Sequence, residues 1–322
     1  MRPSALIAVC ALMLAGCGQA AAPAPHHHVA HKKASVAQAL LPVQGFDLTH
    51  LTDLPFATDR LAAAFFDGST YIFGGLRQSG STTAIYRLQK ANLSAAGSLP
   101  LPLHDLAAAA LGSHLLVMGG GQVASSPQIF SYAPATAKVT QYASFPTPLS
   151  DLAAVSLGKD VYVFGGFTGS VFSQAIYRIA SGGVARVASL PLGLRYTGAA
   201  ALNGSIYLFG GLGVGGYQSA IYRFTPGKGV TKIGELPSAA AAPLVAPAQG
   251  GILVVGGEVG VNQDLASVYF FTPKGGLRQI GSLPRPLGYG ALVSLGKDRF
   301  VVIGGEDGAA RGTGIYTLRL TR

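Results

Sequence analysis

The stretch LAAVSLGKDVYVFGG, from Leu152 to Gly166, decides the fold. A small apolar run leads into a turn at Gly158-Lys159-Asp160. Alternating β-branched and aromatic residues then run up to a Gly-Gly pair. Two short antiparallel strands joined by a tight turn leave this pattern. The glycine pair recurs at Gly74-Gly75, Gly119-Gly120, Gly165-Gly166, Gly210-Gly211, Gly256-Gly257 and Gly304-Gly305, at steps of 45, 46, 45, 46 and 48 residues. A Leu-Pro or Phe-Pro step stands 20 or 21 residues before each pair, from Leu54-Pro55 to Leu283-Pro284. About eleven residues after each pair comes a further short strand, as at Ile176-Tyr177 and Ile221-Tyr222. A weaker fourth strand, such as Val230 to Ile233, leads into the next Leu-Pro.

Six in-phase repeats of four strands, with no long helical period, predict an all-β protein: a six-bladed β-propeller of four-stranded antiparallel blades. One such sheet cannot bury both faces alone, whereas six arranged radially can. The Ala-rich first strands, Leu106 to Ala110 and Thr197 to Ala201, suit the crowded centre. Gly-Gly, then Tyr, with Pro near a turn (Tyr132-Ala133-Pro134, Phe271-Thr272-Pro273), resembles the kelch repeat family over roughly residues 46–322. Kelch repeats usually carry a Trp in the fourth strand, and this chain has no Trp. Val139, Val184 and Ile233 occupy that region, which predicts weaker aromatic packing between blades. The last repeat supplies only three strands, and Phe46 to Leu51 reads as an orphan fourth strand that closes it, as the resemblance also implies.

The N-terminus reads as a lipoprotein signal peptide over 1–17. Arg2 precedes an apolar stretch too short to span a bilayer, and Leu14-Ala15-Gly16-Cys17 resembles a lipobox whose Cys17 is lipidated. An ordinary secretory signal with an incidental Cys is the alternative. Membrane anchoring through Cys17 and a place in the cell envelope, outward of the cytoplasmic membrane, follow as expectations. Residues 18–44, rich in Ala, Pro, His and Lys, read as a flexible tether, and 45–322 as the propeller. His26-His27-His28 and His31 are metal-ligand types with nothing to fix a geometry, so neither a metal site nor a cofactor is expected.

A net charge of +10 rests on only 11% charged residues. The lysines from Lys90 to Lys297 map to the turns of one end, beside the tether, either as a lipid-facing basic surface or as plain solubilising charge. The export signal and the lack of a basic-aromatic stripe argue against a nucleic-acid partner. The acidic residues fall at the opposite, top end. Asp59, Asp105 and Asp151 enter the first strand in three successive repeats, and Glu258 and Glu306 directly follow Gly-Gly. Arg60, Arg77, Arg195, Arg285, Arg311, His104, Tyr196, Tyr217 and Tyr289 belong to the same end. The recurring aspartates suit turn hydrogen bonds as well as they suit a site.

No Cys remains in the propeller for a copper-radical site such as that of galactose oxidase, and His104-Asp105 adjacency does not orient a Ser-His-Asp triad. Three functions remain. The first is a monomeric, non-catalytic recognition propeller, binding a protein, peptide or glycan through Arg60, Asp105, Asp151, Arg195, Tyr196, Glu258, Tyr289 and Glu306. The second, implied by resemblance to the exported kelch propellers that act as N-acetylneuraminate mutarotases, is a sugar enzyme with His104, Glu258 or Glu306 as acid and base and Arg195 clamping a carboxylate. The third is an envelope assembly scaffold.

Overall fold

The computed structural model describes residues 40–322. Lipobox Cys17, the His26–His28 and His31 cluster and most of the expected tether lie outside the described residues. Every regular element among the described residues is a strand. Four separate antiparallel four-stranded sheets carry the later repeats and the chain ends. The sheet of the quoted stretch has Ala153–Leu157, Asp160–Phe164, Ala175–Ala180 and Gly183–Ser189, in that order. A larger sheet carries residues 62–149. Its strand Asn92–Leu111 runs through two repeats: Asn92 to Ser98 pair with Gly80–Gln89, and His104 to Leu111 pair with His114–Gly121. The innermost strands, starting at Ala62, Leu106, Ala153, Gly198, Leu244 and Ala291, touch one another in cyclic order, the last against the first.

The chain ends close this circle. Gly45–Asp53 pairs antiparallel with Gly314–Thr321, so the N-terminal strand lies outermost in the C-terminal sheet. Packing begins before that strand. Val43 is 1% exposed, Arg278 donates to its carbonyl, and the Arg322 guanidinium donates to the carbonyl of Leu41 at 2.7 Å. Leu40 to Gln44, assigned to the tether on composition, therefore lies against the domain.

The Gly-Gly pair is what joins one repeat to the next. The second glycine donates its N–H to a carbonyl in the following repeat: Gly75 to Leu103, Gly166 to Leu194 and Gly211 to Ala240 at 2.8 Å, Gly257 to Leu287 at 2.9 Å. Gly305 donates to Thr58 at 3.1 Å, which carries the pattern across the chain ends. The first glycine faces the same carbonyl so closely that any Cβ would collide with it, and its φ is positive in all six pairs.

Aromatic packing between repeats is present without Trp, and it comes mainly from the second and third strands. Tyr132 packs on Tyr71 and Phe73, Phe224 on Tyr162 and Phe164, and Phe271 on Tyr207 and Phe209, with ring centroids 5.4–5.6 Å apart. Each joins a third strand to the second strand of the preceding repeat. Such contacts add about 0.5–1.5 kcal/mol per pair beyond area burial.

Candidate functional site: a polar mouth on a backbone ring

Where each repeat enters its first strand, one residue adopts a left-handed backbone. These are Arg60, Asp105, Asp151, Tyr196, Ala242 and Tyr289, with φ between 48° and 57°. Their amides and carbonyls link around the axis. Asp105 donates to Arg60, Asp151 to Asp105, Tyr196 to Asp151, Ala242 to Tyr196, and Arg60 to Tyr289, at 2.7–2.9 Å. Left-handed backbone is tolerated by Asp and uncommon for Arg and Tyr, so the surrounding hydrogen bonds hold a conformation these residues would not choose alone. The six residues line a cavity of about 140 Å³. An adjoining cavity of about 290 Å³ is lined by His104, Asp105, Ser125, Ser150, Asp151, Arg195 and Tyr196.

One position earlier, Asp59, Ser150, Arg195, Ala241 and Gly288 bridge to the residue after a Gly-Gly pair: Leu76, Phe167, Leu212, Glu258 and Glu306. Asp59 therefore does not share a repeat position with Asp105 and Asp151, as the sequence pattern implied. Its equivalents are His104 and Ser150, while Arg60 is the true counterpart of the two aspartates. The step between the first two Gly-Gly pairs is 45 residues, and Asp59 to Asp105 spans 46.

The mouth is a dense ionic network. Asp59 is fully buried, and its Oδ2 meets Arg60 Nη1 at 2.9 Å and Arg311 Nε at 2.8 Å. Arg60 also contacts Glu306 at 3.1 Å and Asp105 at 3.8 Å, and its guanidinium lies 4.1 Å from the Tyr289 ring centroid. Arg195 meets Asp151 at 3.2 Å and stacks over Tyr196, with Phe167 and Phe172 beyond. Tyr289 donates to Glu258 at 2.6 Å, Tyr196 donates to Asp105 at 3.3 Å, and the two tyrosine rings meet edge to face at 5.0 Å.

Six carboxyls here, those of Asp59, Asp105, Asp151, Glu258, Asp264 and Glu306, outnumber the three arginines. Burial, then the neighbouring Asp151, push Asp105 well above the usual carboxylate range; burial raises Asp151 as well. Burial, together with a hydrogen bond to Asp59, lifts Glu306 to about 7. Asp59 Oδ1 is buried without a hydrogen-bond partner. Burial raises Asp264 to about 6, opposed by the Gly308 amide that donates to it at 2.9 Å. Tyr217, above Glu258, is pushed up to about 12, first by burial.

All eight residues proposed from sequence for ligand binding thus come together, and His104 stands beside them. Its Nδ1 is 2.8 Å from the Ser81 hydroxyl and its Nε2 is 3.4 Å from Asp105. A Ser-His-Asp chain does therefore exist, although adjacency in sequence argued against it. Asp105, however, is raised and shared with Asp151 and Tyr196, so it does not offer the anion an imidazolium needs. Burial lowers the His104 pKa, in keeping with a neutral ring. Arg195 is already occupied by Asp151, which leaves it poorly placed to clamp a ligand carboxylate. Two expected members lie apart: Arg77 stacks on Phe56 and donates to Tyr86, and Arg285 lines a separate cleft. Sequence reading missed Asp264 and Ser81, whose hairpin positions bear no repeat signature.

No protein-family model matches the chain, and no curated protein matches it. The solved structure of YjhT superposes with a TM-score of 0.74 at 14% identity, covering 84% of this chain and 98% of that one. The chain is a β-propeller. At that identity the likeness speaks for the fold and for nothing chemical.

Proposed function

We propose that the chain is a six-bladed, kelch-type propeller that recognises a glycan at its polar mouth without catalysing a reaction. Six blades follow if Asn92–Leu111 serves two of them, and the cyclic order of the six inner strands supports that count. The observation that carries the binding reading is the convergence of the six ring residues on one cavity. Loops held on a rigid scaffold are where binding groups belong. Glycan is favoured over an anionic ligand because Arg60, Arg195 and Arg311 all face carboxylates. The protonated carboxyls donate, the ionised ones accept, and Tyr196 and Tyr289 offer ring faces, which suits a neutral, hydroxyl-rich ligand.

Calorimetric titration with neutral oligosaccharides, peptidoglycan fragments and peptides tests this. Glycan binding that falls at least tenfold in Asp151→Asn and in Tyr289→Ala supports it. Binding of peptides alone, or glycan binding indifferent to both variants, overturns it.

One observation favours a second reading, a mutarotase acting on a sugar such as N-acetylneuraminate. Glu306, lifted to about 7, is poised for proton transfer at neutral pH. Anomeric exchange seen by NMR should then accelerate with the native chain and slow at least a hundredfold with Glu306→Gln. The envelope location is likewise proposed, from the lipobox-like Cys17. Incorporation of labelled palmitate, lost in Cys17→Ser, is the expected result.

A further inference from the structure

A cleft of about 270 Å³ lies over the closing sheet, away from the axis. Leu48, Leu287 and Tyr316 form its apolar wall, and Arg285, Glu306, Asp307 and Arg311 its charged end. Four glycines, Gly304, Gly305, Gly312 and Gly314, line it with backbone, which leaves the space open. A related cavity of about 480 Å³ sits three repeats away, where Leu149 and Tyr177 stand in place of Leu287 and Tyr316. This kind of cleft is thus built by the repeat. Its charge is particular to one copy. The position of Arg285, directly after the Leu-Pro or Phe-Pro step, holds Phe56, Leu101, Thr147, Leu192 and Ser238 in the other repeats.

Arg285 is exposed, makes no ion pair among the described residues, and stands between Pro284 and Pro286. Prolines on both sides restrict the backbone that presents it, so little ordering is needed on binding. Arg311, on the opposite rim, lies 2.8 Å from buried Asp59. Glu306 faces Arg60 and Arg311 faces Asp59, so Arg285 is the arginine of the cleft left without a carboxylate partner among the described residues, and it suits a single negative charge. The volume admits a body of roughly ten non-hydrogen atoms. We infer that this cleft binds a small monocarboxylate with an apolar or aromatic body, its carboxylate on Arg285 and its body against Leu48, Leu287 and Tyr316. Planar guanidinium-carboxylate pairing supplies the specificity. The inference does not rest on the glycan reading of the mouth, although Glu306 and Arg311 border both sites.

The test titrates the full chain with phenylacetate, phenylacetamide and inorganic phosphate. Phenylacetate should bind at least tenfold tighter than the other two, and Arg285→Ala should weaken it at least tenfold. Arg285 is exposed and tied to nothing, so that variant should fold, and its melting temperature checks this. Asp151→Asn, at the mouth, should leave phenylacetate binding unchanged. No phenylacetate binding, equal binding of the amide or of phosphate, indifference to Arg285→Ala, or loss in Asp151→Asn would each overturn the inference.

Discussion

At the scale of single residues, the mouth stores protons. A carboxyl whose pKa is raised on folding stabilises the fold while it is protonated. That contribution is complete below its unfolded value and vanishes as pH rises through its folded value. For Glu306 the window runs from about 4.5 to about 7, for Asp264 from about 3.8 to about 6, and Asp105 and Asp151 act in the same direction. His104, lowered by burial, opposes them: its contribution is present above the ordinary histidine value and is lost on acidification. Four groups against one give the sign. The chain should melt higher at pH 5 than at pH 7.5, and Glu306→Gln should flatten that difference by on the order of 2 kcal/mol after solvent screening. Melting curves across this range check it, and a wild-type midpoint that falls on acidification contradicts the proton count. The same chemistry makes Ser81 a poor nucleophile. A fluorophosphonate probe at pH 7 should leave it unlabelled, and mass spectrometry decides the point.

At the scale of elements, the Gly-Gly pair does two jobs with different costs. Its left-handed φ penalises any side chain, and its approach to the carbonyl of the next repeat excludes a Cβ altogether. Gly158, in a turn with φ of 63° and open space around it, carries only the first cost; Gly165 carries both, against Leu194. Gly158→Ala should therefore lose about 1 kcal/mol and Gly165→Ala about 3 kcal/mol or more, as read by urea denaturation. Equal losses would mean that the inter-repeat contact yields freely. The contrast also marks what could be read from the sequence. Period, strand order and closing strand were legible because glycine, proline and aromatic residues repeat in phase. The left-handed ring was not, because Arg, Asp, Tyr and Ala share a backbone conformation but no side-chain signature. Nor were the pairings inside the mouth, since Arg60 meets Glu306 across 246 residues. Aromatic packing between repeats lies mainly in the second and third strands, where Tyr and Phe follow the strand pattern without marking their partner, and the fourth strand adds Phe145 on Tyr177.

At the scale of the whole molecule, closure carries the stability argument. The innermost strands form a circle, and each glycine pair binds the next repeat, so no sheet is stable by itself. Removing residues 45–53 would strip the outer partner from Gly314–Thr321 and expose its edge. Buried Leu318 and Leu320 pack in the core cluster beside Phe46 and Leu48 and would lose that cover. Thr58, which accepts from Gly305 across the chain ends, lies five residues beyond the deletion, so the joint between first and last repeats would loosen as well. If the repeats are coupled around the circle, the cost reaches every sheet. The deletion should lower the melting midpoint by 10 °C or more, and amide exchange should speed up as far away as Val161 and Tyr162, three repeats from the closing sheet. Exchange confined to Gly314–Thr321, with the remaining strands as protected as before, would show instead that the repeats hold together as an open array and that closure contributes only locally.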